Sequence, residues 1–213
     1  MIRPLRGLYV ITPDRAANGS ADPGPPLVEL VTSAIQGGAR VVQYRDKGPG
    51  WSRRQAEAAA LLALCRGAGI PLIVNDDVEL AAAVGADGIH LGRDDADPRR
   101  VREVLGPEAL IGVSCYDRLD LALAAERAGA GYVAFGSFFP SPTKPHAVRP
   151  RPDLLTEARR ALGVPLVAIG GITPQNAGTL IAAGADMVAA VSYTHLRAHE
   201  TASFISYAVF CLK

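Results

Sequence analysis

The chain has 213 residues, 49% hydrophobic and 20% charged, which suits one large folded domain and excludes wholesale disorder. Lys and Arg total 22 against 21 Asp and Glu, a net charge of +1, so the basic footprint of a nucleic-acid binder is absent. Apolar runs break well short of a membrane span, and the opening MIRPLRGLYV lacks a signal-peptide pattern.

The first apolar run, LYVIT at 8–12, predicts a strand, and AANGSADPGPP at 16–26 predicts a loop without chemistry. A helix over 27–37 leads to a strand at VVQYR (41–45), then a helix over 52–68 and a strand at PLIVND (71–76). Helix 77–84 precedes strand GIHLG (88–92), and helix 98–105 precedes strand LIGVS (110–114). Helix 117–128, strand YVAFG (132–136), helix 153–162, strand PLVAIGG (165–171), helix 174–183 and strand MVAAVS (187–192) complete the alternation. The helical segments are rich in Ala, Leu, Arg and Glu with helical apolar spacing. Ser52, Asp117 and Thr173-Pro174 read as helix start signals. Gly-Ala pairs at 38–39, 85–86, 129–130 and 184–185 each close a helical stretch and feed a strand, a weak internal repeat.

Strands that read as continuous apolar runs suit a parallel sheet covered by helices. Eight of them alternating with helices predict the α/β class and a (β/α)8 TIM barrel. An open doubly wound sheet competes, but no G-x-G-x-x-G follows the first strand.

In a barrel the loops after the strands share one face, where chemistry sits. The unusual polar residues fall there: Gln43-Tyr44-Arg45-Asp46-Lys47, Asn75-Asp76-Asp77, Arg93-Asp94-Asp95, Ser114, the run Ser137 to Lys144, Gly170-Gly171 and Ser192. Arg45, Lys47 and Lys144 suit a polyanionic ligand. Asp76 and Asp95 leave adjacent strand ends and suit a shared Mg²⁺ completed by water and phosphate oxygens. The bland reading of the same residues is a set of solvated rim ion pairs. Gly170-Gly171 ahead of Thr173-Pro174, with Ser192, form a second candidate anion site, for which the bland reading is a tight turn at Gly171. Two anion sites imply two phosphorylated small-molecule substrates and group transfer, with no nucleic-acid or membrane partner.

His90 reads as a barrel-interior histidine rather than a metal ligand, and Trp51 as a helix opener packed on the exterior. Three scattered cysteines, Cys65, Cys115 and Cys211, lack metal spacing and predict a reducing, cytoplasmic setting. Cys115, with no base nearby in sequence, reads as an inert thiol.

The motifs YVIT (9–12), QYRDK (43–47), ND (75–76), HLGRDD (90–95), GVS (112–114), GSFFPSPTK (136–144), IGGI (169–172) and VS (191–192) together resemble thiamine-phosphate synthases over residues 8–192. The resemblance implies an Mg²⁺-dependent transferase that couples hydroxymethylpyrimidine diphosphate to a thiazole phosphate, releasing diphosphate. It places Gln43, Arg45, Lys47, Asn75, Ser114 and Lys144 around the pyrimidine diphosphate, with Tyr44 and Asp46 inside the same motif. Arg45, Lys47, Ser114 and Lys144 would act on the leaving group. Asp76 and Asp95 would be the metal ligands, and Ser141, Pro142, Thr143, Gly171, Val191 and Ser192 would hold the thiazole phosphate. The family chemistry is dissociative, with diphosphate leaving before the thiazole nitrogen captures the pyrimidine-methyl cation. Arg93 and Ser141 depart from the family's more frequent Gln and Thr but retain donors. The proline-rich stretch 140–152 reads as a lid delivering Lys144.

All 22 Gly and all 16 Pro precede residue 193. Within residues 193–213, where an eighth helix is expected, 203–212 (SFISYAVFCL) have a strand-like composition. Two units follow, a barrel over 1–192 and an anomalous, non-native tail replacing that helix. Rival readings are a thiazole tautomerase-like barrel and an inactive precursor-binding remnant; homo-oligomerisation stays open.

Overall fold

The computed structural model describes residues 5–14, 26–140 and 148–191. Eight strands alternate with seven helices: β1 (Gly7–Ile11), α1 (Leu27–Gln36), β2 (Ala39–Tyr44), α2 (Trp51–Gly67), β3 (Leu72–Asn75), α3 (Val78–Val84), β4 (Gly88–Leu91) and α4 (Pro98–Leu105). Then come β5 (Leu110–Tyr116), α5 (Leu119–Arg127), β6 (Tyr132–Gly136), α6 (Asp153–Ala161), β7 (Leu166–Ile169), α7 (Pro174–Ala182) and β8 (Met187–Val191). Every strand pairs in parallel with its sequence neighbours, and β8 returns to β1, closing a TIM barrel. The described residues stop at the end of β8, so the expected tail lies outside them, as do most of the 16–26 loop and residues 141–147. No helix among the described residues is long and apolar enough to cross a membrane.

Period-two alternation within each strand sorts the side chains into an interior face and a helix-facing face. Tyr9, Ile11, Val41, Ile73, Tyr132, Ala134, Val167, Met187 and Ala189 fill the barrel interior. The opposite faces pack on the helices in two clusters, one around Tyr44, Leu61 and Leu72 and the other around Phe135, Leu155 and Leu180. A strand covered on both faces has little room for polar residues, which explains why the sequence reads as plain apolar runs.

Local chemistry sets the helix starts. Asp77 caps α3, its Oδ1 accepting from Leu80 N–H at 2.9 Å. Asp97 caps α4 ahead of Pro98, accepting from Arg99 N–H at 2.8 Å. Thr173-Pro174 opens α7 as expected, with Asn176 Oδ1 accepting from Thr173 N–H at 2.8 Å. The expected caps at Ser52 and Asp117 are corrected. Helix α2 begins at Trp51 behind Gly50, whose φ of 108° turns the chain without a side-chain cap. Helix α5 begins at Leu119 behind Arg118, after Tyr116 takes a φ of 55°. Trp51 packs, half-buried, against the outer cluster, with the Arg54 guanidinium 5.8 Å from its ring centroid.

Candidate active site

The ends of β1 and β2 are tied together before any ligand is considered. Thr12 N–H donates to Gln43 O at 2.9 Å, and Arg45 N–H donates to Thr12 Oγ1 at 2.9 Å. Beyond Thr12, the side chain of Asp14 is almost fully buried and accepts from Arg45 Nη1 at 2.9 Å and from Lys47 N–H at 3.3 Å. This carboxylate fixes the direction of the guanidinium at the mouth. The sequence reading passed over it.

Asp76 follows β3 with a φ of 60°, and its N–H donates to His90 O at 2.9 Å. The Lys47 ammonium pairs with its carboxylate, and Asp95 lies close enough to the same carboxylate for each to shift the other. Asp95 Oδ2 also accepts from Gly92 N–H at 2.6 Å. Burial, opposed by the Gly92 hydrogen bond and reinforced by Asp76, pushes the Asp95 carboxyl above its ordinary range. Burial also acts to raise Asp76, but Lys47 outweighs it and holds that carboxyl below its ordinary range. Two neighbouring carboxylates, one of them paired with an ammonium, make a small, charge-dense cluster. It suits a hard cation with oxygen ligands.

Below this cluster a chain of polar groups crosses the barrel interior. Gln43 Nε2 donates to Tyr9 Oη at 2.8 Å, Tyr9 Oη meets Tyr132 Oη at 2.7 Å, and Tyr132 Oη meets His90 Nδ1 at 3.1 Å. His90 Nε2 lies 2.9 Å from Ser114 Oγ. Gly112 makes room for this chain, since a Cβ there would lie 2.0 Å from the Tyr132 ring. The rings stack as well: Tyr132 is edge-on to Tyr9 at 5.8 Å and nearly parallel to His90 at 5.6 Å. His90 is therefore the interior histidine expected. Its Nδ1 faces a phenol rather than the carboxylate that orients the base of a hydrolytic triad.

The predicted residues divide into three groups. Gln43, Arg45, Lys47, Asp76, Asp95 and Ser114 are linked through the contacts above, and Asn75 ends β3 paired in register with His90. Tyr44, at the end of β2, packs in the outer cluster beside α2, and Asp46, two residues past the strand, is tied to Arg53 of α2. Tyr44 Oη donates to Glu57 Oε2 at 2.8 Å against α2, and burial together with Glu57 drives its phenol far above the usual range. Asp46 is held by Arg53 at 2.7 Å and by Gly48 N–H at 2.7 Å. Burial acts to raise its carboxyl, but Arg53 outweighs it and lowers it. Ser141, Pro142, Thr143, Lys144 and Ser192 lie outside the described residues, and Val191 is described only as the last residue of β8.

Gly171 has a φ of 60°, and a Cβ on it would lie 2.4 Å from Pro140 O. Close approach of the loops after β6 and β7 therefore already demands glycine here. Arg93 lies over the Tyr116 ring, 4.7 Å from its centroid. Cys115 is fully buried and its thiol is pushed up to about 12 by burial, in keeping with an inert thiol. Asp14, Tyr9 and Tyr132 are the contributors missed in sequence. The available signal was that Tyr9, like Gln43, occupies an interior position of its strand, and that Asp14 trails a strand end.

Comparison with known proteins agrees with this architecture. The family model described as thiamine monophosphate synthase matches residues 8–193. The thiamine-phosphate synthase of Methylococcus capsulatus is 54% identical over 188 residues, covering 88% of this chain and 81% of that one. That of Thioalkalivibrio sulfidiphilus is 53% identical, covering 88% and 87%. The solved thiamine phosphate pyrophosphorylase of Pyrococcus furiosus superposes with a TM-score of 0.83 at 32% identity, covering 98% of each chain. The chain belongs to the thiamine monophosphate synthase family.

Proposed function

We propose that this chain couples hydroxymethylpyrimidine diphosphate to a thiazole phosphate, forming thiamine phosphate and diphosphate. The observation that carries this reading is the grouping of Lys47 and Asp95 around Asp76, beside Arg45, at the mouth of a barrel of this family. A diphosphate brings several negative oxygens, and Arg45 and Lys47 offer a planar donor fork and a compact ammonium for them.

The Asp76–Asp95 pair fits Mg²⁺, since two close carboxylates leave the remaining positions to water and phosphate oxygens. When bound, such an ion supplies charge neutralisation for the departing diphosphate. In the reaction, the bond from the pyrimidine methylene carbon to the diphosphate oxygen breaks, and both electrons leave with the oxygen. The thiazole nitrogen lone pair then forms the new bond to that carbon. Arg45 and Lys47 stabilise the negative charge that accumulates on the leaving oxygens. Asp14 keeps Arg45 aimed, and the apolar interior around Ile11, Ile73 and Ala189 limits water that would trap a cation. Lys144, Ser141, Pro142, Thr143, Gly171, Val191 and Ser192 complete the reading as ligands of the two phosphorylated groups.

The test is an assay of the purified full-length chain with both substrates and Mg²⁺. The expected result is thiamine phosphate and diphosphate in equal amounts, abolished by chelation and strongly reduced in Lys144→Ala. Absence of product from protein with a cooperative thermal transition overturns the reading.

A further inference from the structure

The hydrogen-bond chain from Gln43 to Ser114 has a countable supply of hydrogens. Three links join Gln43, Tyr9, Tyr132 and His90 Nδ1. Each phenol contributes one hydrogen, and burial pushes both Tyr9 and Tyr132 well above the usual phenol range, so both keep it. With Gln43 Nε2 donating the first hydrogen, the three links are filled, and a hydrogen on His90 Nδ1 would be a fourth, so the ring is neutral in a satisfied chain. The donor at the Gln43 end therefore sets one direction along the chain.

At the far end Gln43 presents Nε2, a nitrogen that only donates, to Tyr9. Tyr9 must then donate to Tyr132, and Tyr132 to His90 Nδ1. That leaves the histidine hydrogen on Nε2, aimed at Ser114 Oγ across 2.9 Å. We propose that His90 is a positioning residue held as the Nε2–H tautomer by this one-way chain, so that Ser114 directs its own hydroxyl hydrogen to an oxygen of the bound diphosphate. The identity of that ligand rests on the function proposed above; the order of the chain does not. Gln43 is oriented by the same arrangement, since its carbonyl oxygen is left to face a donor. The reverse order would make Ser114 donate downward and turn only lone pairs on an anion. An array meant for diphosphate gains from the first order and loses from the second.

The tautomer is read directly by long-range ¹H–¹⁵N correlation spectra of the full-length chain carrying ¹⁵N-histidine, without ligand. The His90 signals are identified by their loss in His90→Gln. A pyridine-type Nδ1 with a pyrrole-type Nε2 is the expected result; a pyrrole-type Nδ1 or a doubly protonated ring overturns the chain. Tyr132→Phe keeps the stacked ring and removes one link, so its His90 signals should show mixed tautomers. In kinetics, Tyr132→Phe and His90→Leu should each raise KM for the pyrimidine diphosphate about tenfold while leaving KM for the thiazole phosphate unchanged. His90→Gln, which keeps a donor near the Nε2 position, should recover most of that loss. Equal effects of His90→Gln and His90→Leu would reduce His90 to a packing role. If the expected tautomer is found but Ser114→Ala leaves the pyrimidine KM unchanged, the assignment of the Ser114 hydrogen to diphosphate is overturned while the chain stands.

Discussion

Arg45 Nη1 donates to Asp14 Oδ2 at 2.9 Å, joining the ends of β1 and β2 through a carboxylate only 7% exposed. The pair aims a cation at the mouth rather than stabilising a rim. Asp14→Asn preserves shape and can still accept from Lys47 N–H, but it removes the charge that fixes the guanidinium. The expected outcome is a KM for the pyrimidine diphosphate raised about tenfold, with the thiazole KM unaltered, by steady-state kinetics. An unchanged pyrimidine KM would remove Asp14 from the site's supporting shell.

The Asp76–Asp95 pair predicts a trade between stability and cation binding. Without a divalent ion, two neighbouring carboxylates repel, and among the described residues the Lys47 ammonium pairs with Asp76. Asp95→Asn retains an acceptor for Gly92 N–H and removes one charge. It should raise the melting temperature of chelator-treated protein by roughly 2 °C and abolish the further rise that Mg²⁺ gives the unaltered chain. A melting temperature of the unaltered chain that ignores Mg²⁺ would sink the metal assignment.

The barrel was legible because its eight strands are buried on both faces and so stand out as short apolar runs between Ala-rich helices. Helix starts were less so, because Asp77 and Asp97 resemble any loop aspartate until their backbone partners are known. The site was half legible. Polar residues at strand ends announced Arg45, Lys47, Asp76 and Asp95, but treating QYRDK as one block ignored that neighbours on a strand face opposite ways. Tyr9 and Tyr132 were hidden for a different reason. A tyrosine inside an apolar run reads as core, and only barrel closure brings two phenols 123 residues apart into a 2.7 Å contact.

Tyr44 provides the check on that alternation. Its hydroxyl belongs to a strap outside the barrel, in which Arg53 pairs with both Asp46 and Glu57 while Tyr44 donates to Glu57. Tyr44→Phe should lower unfolding free energy by about 1 kcal/mol in urea titrations, with both KM values unchanged. A selective rise in the pyrimidine KM would return Tyr44 to the ligand shell.

The two described cysteines predict a pH dependence of opposite character to an active-site thiol. Cys65 and Cys115 are free and fully buried. Burial raises each thiol from 9.0 to about 12, with lesser contributions from Asp87 at Cys65 and Asp120 at Cys115. Both therefore stay protonated in the folded chain across the physiological range. The sign follows from linkage. An unfolded thiol ionises near 9.0, earlier than the folded one, so the stability these groups contribute is intact below that pH and declines as pH rises towards 12. In a Cys211→Ser background, native protein at neutral pH should leave an alkylating reagent unconsumed and retain full coupling activity, while protein in denaturant should react at two thiols. Urea midpoints should stay level up to pH 9 and fall above it, where tyrosine ionisation in the unfolded chain acts in the same direction. Rapid alkylation of the native chain at Cys115, with loss of activity, would instead make that thiol part of the reaction.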